Sequence, residues 1–516
     1  VMNYTIEKVT TLIGARRYGD TDANISFVLT DSRSLCFPEE TLFFALKTER
    51  NDGHNYIPEL YARGVRNFVV EVVPDNWETL YSGSNFLKVV GSLEALQRLA
   101  ERHRDEFLIP IVGITGSNGK TMVKEWLYQL LSPQMVVTRS PRSYNSQIGV
   151  PLSVWLLNEN TQVGVFEAGI SKPGEMMALR DIIQPTIGVF TNLGTAHQEN
   201  FPSIEAKCKE KLCLFHDTQA IVYSMDDDVL THCLAQYNYQ GEQLSWSTKH
   251  ADATFYIKSI EKKDIETTVT YTWKGGKEAQ YKLPFIDDAS VENSITCAVV
   301  ALHLGVTQAA LAERMAQLEP VAMRLEVKEG QHGCTLINDS YNSDYNSLDI
   351  ALDFMNRRPD HKGRKRTLIL SDILQSGEED KELYNKVAFL CEKRGVSKFI
   401  GIGEGLLAER NAFKHLGEKH FFATINAFIH SEVFANLHDE VILLKGARQF
   451  GFDHLTELLV KKVHETVLEV NLNAVVDNLN WYRSFMKPET KLVCMIKADA
   501  YGAGAVEIAK TLQDHR

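Results

Sequence analysis

The sequence predicts an α/β protein of several domains, and three observations predict it. The chain has 516 residues, several times the roughly 150 of a common domain. Apolar runs of strand length alternate with amphipathic stretches of helix length, the pattern of parallel sheets covered by helices. A glycine-rich turn joins one such strand to one such helix. Hydrophobic residues at 44% and charged residues at 24% are ordinary globular usage, which fits neither a disordered chain nor a membrane protein.

Charge and cysteine usage narrow the partners. A net charge of -12 at pH 7 argues against nucleic acid and anionic membranes, which reward a basic surface. Any phosphate must then be bound locally. The eight cysteines form no C-x-x-C pair, so neither a zinc site nor a secreted disulfide framework is indicated, and a reducing compartment is expected. No apolar run approaches the roughly 18 residues of a membrane span, and the N-terminus lacks a signal-peptide core. The expected location is the cytoplasm.

Residues 1–90 combine a strand-like run at 68–73 with turn clusters such as 51–54, a small α/β unit. Residues 91–318 carry apolar runs at 109–114, 163–166, 186–190 and 291–304, alternating with helical patterns, which predicts a central parallel sheet. A second alternating series, with runs at 335–337, 367–370, 399–402 and 441–444, reads as a doubly wound, Rossmann-like domain over 319–465. Three of these runs end in Asp339, Asp372 and Lys445. Ligands gather at the carboxyl ends of such strands, so the three residues are candidate substrate contacts, with plain strand-end turns as the competing reading. In residues 466–516, Leu468, Val470, Leu472 and Ala474 alternate with polar residues as in a strand, and 492–496 is a second apolar run. One strand, one helix and another strand close no core of their own.

The strongest local signal runs from Gly113 to Thr121, G-I-T-G-S-N-G-K-T, between a strand and a helical pattern. Here the backbone of Thr115, Gly116, Ser117, Asn118 and Gly119 can converge on phosphate oxygens at a helix N-terminus. Lys120 reaches the β/γ-phosphates, and the Thr121 hydroxyl suits Mg²⁺. The strict P-loop pattern fails by one residue, since Ile114 stands where the first glycine belongs. Nucleoside triphosphate chemistry also needs an acidic Mg²⁺ ligand on a neighbouring strand, and Glu167 closes the run at 163–166. His197, read alone, is more simply a loop or core histidine, because Mg²⁺ favours oxygen ligands. Lys207, Lys209 and Lys211 read alone as a charged helix face.

In combination the motifs resemble the ATP-dependent Mur ligases of bacterial cell-wall synthesis, over residues 2–460. The blocks stand in chain order. They are Thr30-Asp31-Ser32-Arg33, Pro38, Leu42-Phe43 and Asp52-Gly53-His54, then T-G-S-N-G-K-T, Tyr144 to Pro151, Glu167-Ala168-Gly169 and Ala196-His197. Further on stand Glu292-Asn293, Met323-Arg324-Leu325, Asp339-Ser340-Tyr341-Asn342 with Ser347, and Lys445-Gly446-Ala447-Arg448. The resemblance implies a three-domain fold with a central P-loop sheet and a C-terminal Rossmann-like domain. It implies that Ser32, Arg33, Asp52 and His54 meet a uridine-nucleotide substrate, and that Asn293 and Arg324 contact ATP. Asn145, Asp339, Tyr341, Asn342, Asp372, Lys445 and Arg448 become substrate contacts. A lysine four residues before an aromatic is carbamylated in the family, which points to Lys211 ahead of Phe215 rather than Lys207 or Lys209. Glu167, His197, Thr121 and the Lys211 carbamate would then surround two Mg²⁺ ions, with Lys120 beside them as a catalytic cation.

Two flanks depart from the family pattern: Ser371-Asp372-Ile373 replaces G-D-M, and Ala447 stands where serine is commoner. The D-S-Y-N-x-x-x-x-S block favours members that add D-alanyl-D-alanine to UDP-N-acetylmuramoyl-tripeptide over those that add diaminopimelate. Another Mur-type or folylpolyglutamate-type amide ligase, or a catalytically silent nucleotide-binding module, is the alternative. From Leu468 onward the sequence resembles the start of alanine racemase, a TIM-barrel enzyme, through E-V-N-L-N-A-V-V-D-N-L and K-A-D-A-Y-G-A-G. That resemblance implies a ligase-racemase fusion, with Lys497 at a strand end as the lysine that holds pyridoxal phosphate in the complete barrel. A barrel needs about 200 residues or more, so no racemase activity is expected of residues 466–516.

Overall fold

The structure is a computed structural model. It describes residues 3–32, 35, 38–141, 143–194, 198–318, 321, 325–339, 348, 351–352, 354–356, 358, 363–373, 379–446, 450–461 and 468–515. Among the described residues the strands form three sheets, and the chain divides into two compact units. One unit comprises Val1–Leu108, Gln147–Asn160 and His464–Arg516; the other comprises Ile109–Ser146 and Thr161–Val463. Among the described residues no helix is long and apolar enough to cross a membrane.

The first sheet contains β1 (Arg16–Tyr18), β2 (Phe27–Leu29), β3 (Thr41–Phe44), β4 (Asn67–Val70) and β5 (Asn85–Lys88), in the order β1-β5-β4-β3-β2. All pairs are parallel except β1 with β5. Side chains alternate across a strand, so the sheet has two apolar faces. Leu42, Phe44, Val69 and Leu87 meet Val9, Leu96 and Leu99 on one face, while Phe43, Phe68 and Phe86 meet Ile57 and Leu60 on the other. The helix Ser92–Arg104 therefore packs with this sheet, and the N-terminal unit runs past residue 90 to 108.

The second sheet contains β6 (Ile111–Thr115), β7 (Val137–Arg139), β8 (Val163–Glu167), β9 (Ile187–Phe190), β10 (Ala220–Ser224), β11 (Glu242–Ser247), β12 (Phe255–Lys263), β13 (Glu266–Trp273) and β14 (Glu278–Leu283). The order is β14-β13-β12-β11-β10-β9-β6-β8-β7. From β7 to β12 neighbours run parallel, as the buried apolar runs predict. Antiparallel β13 and β14 extend that edge. Their pattern is half-buried rather than continuous, which is why they escape a search for apolar runs. The 291–304 run is a helix, Asp288–His303, capped by the Asp287 side chain and buried along most of its length.

The third sheet contains β15 (Glu326–Glu329), β16 (Thr335–Asp339), β17 (Lys365–Ser371), β18 (Lys398–Ile402), β19 (Glu418–Phe422) and β20 (Glu440–Lys445), in the order β15-β16-β20-β17-β18-β19. All but β15 pair in parallel. Ile337, Leu368, Leu370 and Leu443 face one core and Leu336, Ile369, Ile400 and Leu444 the other.

The C-terminal stretch corrects the strand expectation. Residues 468–471 carry no regular structure, and a helix spans Leu472–Arg483, its Asn471 cap accepting from Ala474 N. Leu472, Val475, Val476 and Leu479 recur at helical spacing, and that period prevails over the shorter alternation. Residues 492–496 are not a strand either. An isolated strand leaves its N–H and C=O groups unpaired, and no described strand lies within this stretch to pair with it. Lys497 consequently opens an irregular turn, Lys497–Gly502, rather than ending a strand.

Candidate active site

The phosphate loop sits at the carboxyl end of β6, between β9 and β8. The order reverses there, and such sheets open a crevice at that point. Gly116 has φ 140° and Gly119 has φ 84°, a region that disfavours side chains. Space forbids them as well: a Cβ on Gly116 would lie 1.9 Å from Thr191 Oγ1, and one on Gly119 2.5 Å from Asn293 Oδ1. The helix Lys120–Leu131 begins immediately after, presenting its N-terminus to the loop.

A second segment, at the end of β9, braces the loop. Ser117 N donates to Asn192 O at 2.9 Å, and Asn118 N to Asn192 Oδ1 at 3.0 Å. Thr191 Oγ1 donates to Asn118 O at 2.6 Å, and Gly194 N to Ser117 Oγ at 2.6 Å. The loop's shape is thus set by Thr191, Asn192 and Gly194, residues that sequence reasoning did not single out.

Hard oxygen donors converge beside it. Thr121 Oγ1 donates to Glu167 Oε1 at 2.9 Å, and Glu167 is wholly buried. Behind the carboxylate lies Lys124, also wholly buried, with Nζ 3.1 Å from Glu167 Oε2 and 2.8 Å from Ser140 O. Sequence reasoning missed Lys124. Its only signal was the i,i+4 spacing from Lys120, which puts both on one side of the helix.

Three more lysines approach the same loop. Lys120 Nζ donates to Gly116 O at 2.9 Å and Lys211 Nζ to the same oxygen at 3.3 Å. Lys207 Nζ donates to Gly194 O. On the helix Ile204–Leu212, Lys207 and Lys211 are buried while Lys209 is exposed. Burial, reinforced by the Lys120 and Lys207 charges, holds the Lys211 amine well below the usual lysine range. A neutral amine is the form that reacts with carbon dioxide. A hydroxyl and a carboxylate, with a reactive amine across the loop, fit Mg²⁺ chemistry.

Asn293, 7% exposed, packs against Gly119, and Asn145 against Gly169. In the third sheet Lys445 Nζ pairs with Asp339 Oδ2 at 2.8 Å, both buried. Asp372 does not join them. It accepts from Gly405 N at 3.0 Å and Leu406 N at 2.8 Å, so it anchors the turn after β18. In the N-terminal unit His54 Nδ1 donates to Asp52 Oδ1 at 2.7 Å, and His54 Nε2 accepts from Glu71 N at 3.0 Å. Hydrogen bonds from His54 hold the Asp52 carboxyl below its usual range. The Ser32 carbonyl accepts from Arg63 at 2.8 Å. Arg33, His197, Arg324, Tyr341, Asn342 and Arg448 lie outside the described residues.

Comparison with known proteins finds three family domains in the chain. The Mur ligase middle domain matches residues 114–301, the Mur ligase catalytic domain 24–104, and the alanine racemase N-terminal domain 470–516. The UDP-N-acetylmuramoyl-tripeptide–D-alanyl-D-alanine ligase of Bacillus subtilis is 27% identical over 396 residues, covering 75% of this chain and 82% of its own. MurF of Acinetobacter baumannii shares the fold with a TM-score of 0.76 at 22% identity, over 89% of this chain and 99% of its own. MurF of Thermotoga maritima, solved with ADP, superposes with a TM-score of 0.68 at 21% identity, over 88% of this chain and 98% of its own. With two Mur ligase domains matched in order over residues 24–104 and 114–301, the chain belongs to the Mur ligase family, and its residues 470–516 match an alanine racemase N-terminal domain.

Proposed function

We propose that the chain joins D-alanyl-D-alanine to UDP-N-acetylmuramoyl-tripeptide at the expense of ATP, in the cytoplasm, where ATP is supplied. The observation that carries this reading is the meeting of Lys120 and Lys211 at Gly116 O of the phosphate loop, with Thr121 of the following helix bonded to Glu167. The curated relative of Bacillus subtilis bears that activity in its name. A carboxylate oxygen of the tripeptide attacks the γ-phosphorus, the bond to ADP breaks, and an acyl phosphate forms. The dipeptide amine, its proton given up to solvent, attacks the acyl carbon, and phosphate leaves as the amide forms.

Phosphoryl transfer is mostly positioning and charge neutralisation. Lys120 and the loop N–H groups hold the phosphates, and Asn293 lies against the loop at the nucleotide. Thr121, Glu167, His197 and carbamylated Lys211 would hold two Mg²⁺ ions. When bound, Mg²⁺ neutralises charge on the transferring phosphoryl group. Residues 1–90 are assigned to the uridine nucleotide through Ser32, Arg33, Asp52 and His54. Residues 319–465 are assigned to the remaining substrate contacts through Asp339, Tyr341, Asn342, Lys445 and Arg448, with Asp372 left to the turn it anchors. Lys497 lies 6.0 Å over the Tyr501 ring and opens an irregular turn rather than ending a strand. This arrangement does not fit pyridoxal phosphate, and no step is routed through it.

Phosphate release measured with and without D-alanyl-D-alanine tests the reading. Release should depend on the dipeptide; dependence on another amine would move the assignment to a different Mur or folylpolyglutamate-type ligase. Lys211→Ala should lose activity, and a small carboxylic acid should restore part of it. Wild-type rates in that variant would remove the carbamate.

A further inference from the structure

Lys207 has no role in the chemistry above, yet it is 1% exposed and its ammonium donates to the Gly194 carbonyl. A fully buried cation is costly, and an apolar side chain would serve packing better. Its place explains it. Gly194 belongs to the segment that braces the phosphate loop through Gly194 N to Ser117 Oγ and Asn192 to Ser117 and Asn118. One turn along the same helix, Lys211 donates to Gly116 O. The helix Ile204–Leu212 therefore grips Ser117 from both sides, through Gly116 by Lys211 and through Gly194 by Lys207.

These two grips are not equivalent in the working state. Carbamylation turns the Lys211 amine, a donor to Gly116 O, into an anion, which weakens that hold, whereas Lys207 remains an unmodified donor to Gly194 O. We propose that Lys207 is a positioning residue. It keeps the segment 191–194, and with it the phosphate loop, in nucleotide-binding shape once Lys211 is modified, and it places a cation one helical turn from the new carboxylate. The proposal rests on the ligase reading and adds to it a residue that the family resemblance does not assign.

The test compares Lys207→Met, Lys207→Gln and Lys207→Arg in the full chain. Affinity for Mg²⁺-ADP is read by calorimetry, KM for ATP and for D-alanyl-D-alanine by turnover, and folding by circular dichroism. K207M should weaken Mg²⁺-ADP and raise KM for ATP by about tenfold or more, the worth of one charged hydrogen bond, with KM for the dipeptide unchanged. K207R should recover most of the loss, and K207Q, a donor without charge, should fall between. Nucleotide affinity within about twofold of wild type in folded K207M or K207Q overturns the proposal, as does an Arg variant no better than Met. Should K207M not fold, the ranking of K207Q below K207R decides it. Nucleotide binding is read apart from ligation, so a wild-type chain that binds Mg²⁺-ADP without ligating the dipeptide counts against the functional reading alone.

Discussion

Lys124 and Glu167 are both wholly buried and 3.1 Å apart, so neither charge is separable from the other. Removing the cation strands a carboxylate without solvent. Lys124→Met should therefore destabilise the fold by about 3–5 kcal/mol, the usual cost of breaking a buried pair from one side. Urea unfolding of the full chain measures it, and adding Glu167→Gln to the variant should return part of the loss. Equal stability of K124M and wild type would mean the pair contributes no net coupling. At this scale the sequence shows Lys120, Thr121 and Glu167 plainly, because a glycine turn and a strand-end acid are rare combinations. It hides Lys124, because a helix lysine is ordinarily solvated. Asp372 misleads for the opposite reason: a strand-end aspartate looks like a ligand contact, and here it caps the Gly403–Leu406 turn instead.

Gly119 shows what an element demands of one position. It precedes the helix Lys120–Leu131 with φ 84°, and a Cβ there would meet Asn293 Oδ1 at 2.5 Å. Gly119→Ala should cost about 1–2 kcal/mol in left-handed backbone alone. By displacing Asn293 it should also weaken Mg²⁺-ADP binding about tenfold or more. Calorimetry on the variant checks this, and unchanged affinity would remove Asn293 and Gly119 from the nucleotide site. Strands were the most legible elements: runs at 335–337, 367–370, 399–402 and 441–444 fall on β16, β17, β18 and β20. Legibility failed where both periods coexist. Residues 468–474 alternate, yet Asn471 caps a helix. Asn471→Ala should cost that helix about 1 kcal/mol, seen as faster amide exchange over 472–483; unchanged exchange would show that the cap does not hold the helix.

Across the whole chain, the least legible feature was which segments share a core. Tyr4, His103 and Leu157 are far apart in sequence, but Tyr4 OH meets His103 Nδ1 at 2.7 Å and His103 Nε2 meets Leu157 O at 2.7 Å. With Nε2–H donating to the carbonyl, Nδ1 accepts from the tyrosine, and the ring is neutral. Burial holds its pKa below the ordinary 6.5. The direction of the linkage follows. Above 6.5 the ring is neutral in both the folded and the unfolded chain. As pH falls through that value, the unfolded chain takes a proton that the folded one resists, so stability falls until the lower, folded pKa is reached. Thermal unfolding of the full chain should therefore lose more between pH 7 and pH 5.5 in wild type than in His103→Gln, which keeps an N–H donor and a carbonyl acceptor but does not titrate. Parallel losses in the two proteins would mean that the ring takes its proton equally in both states, and that the acid sensitivity of this unit resides in its carboxylates.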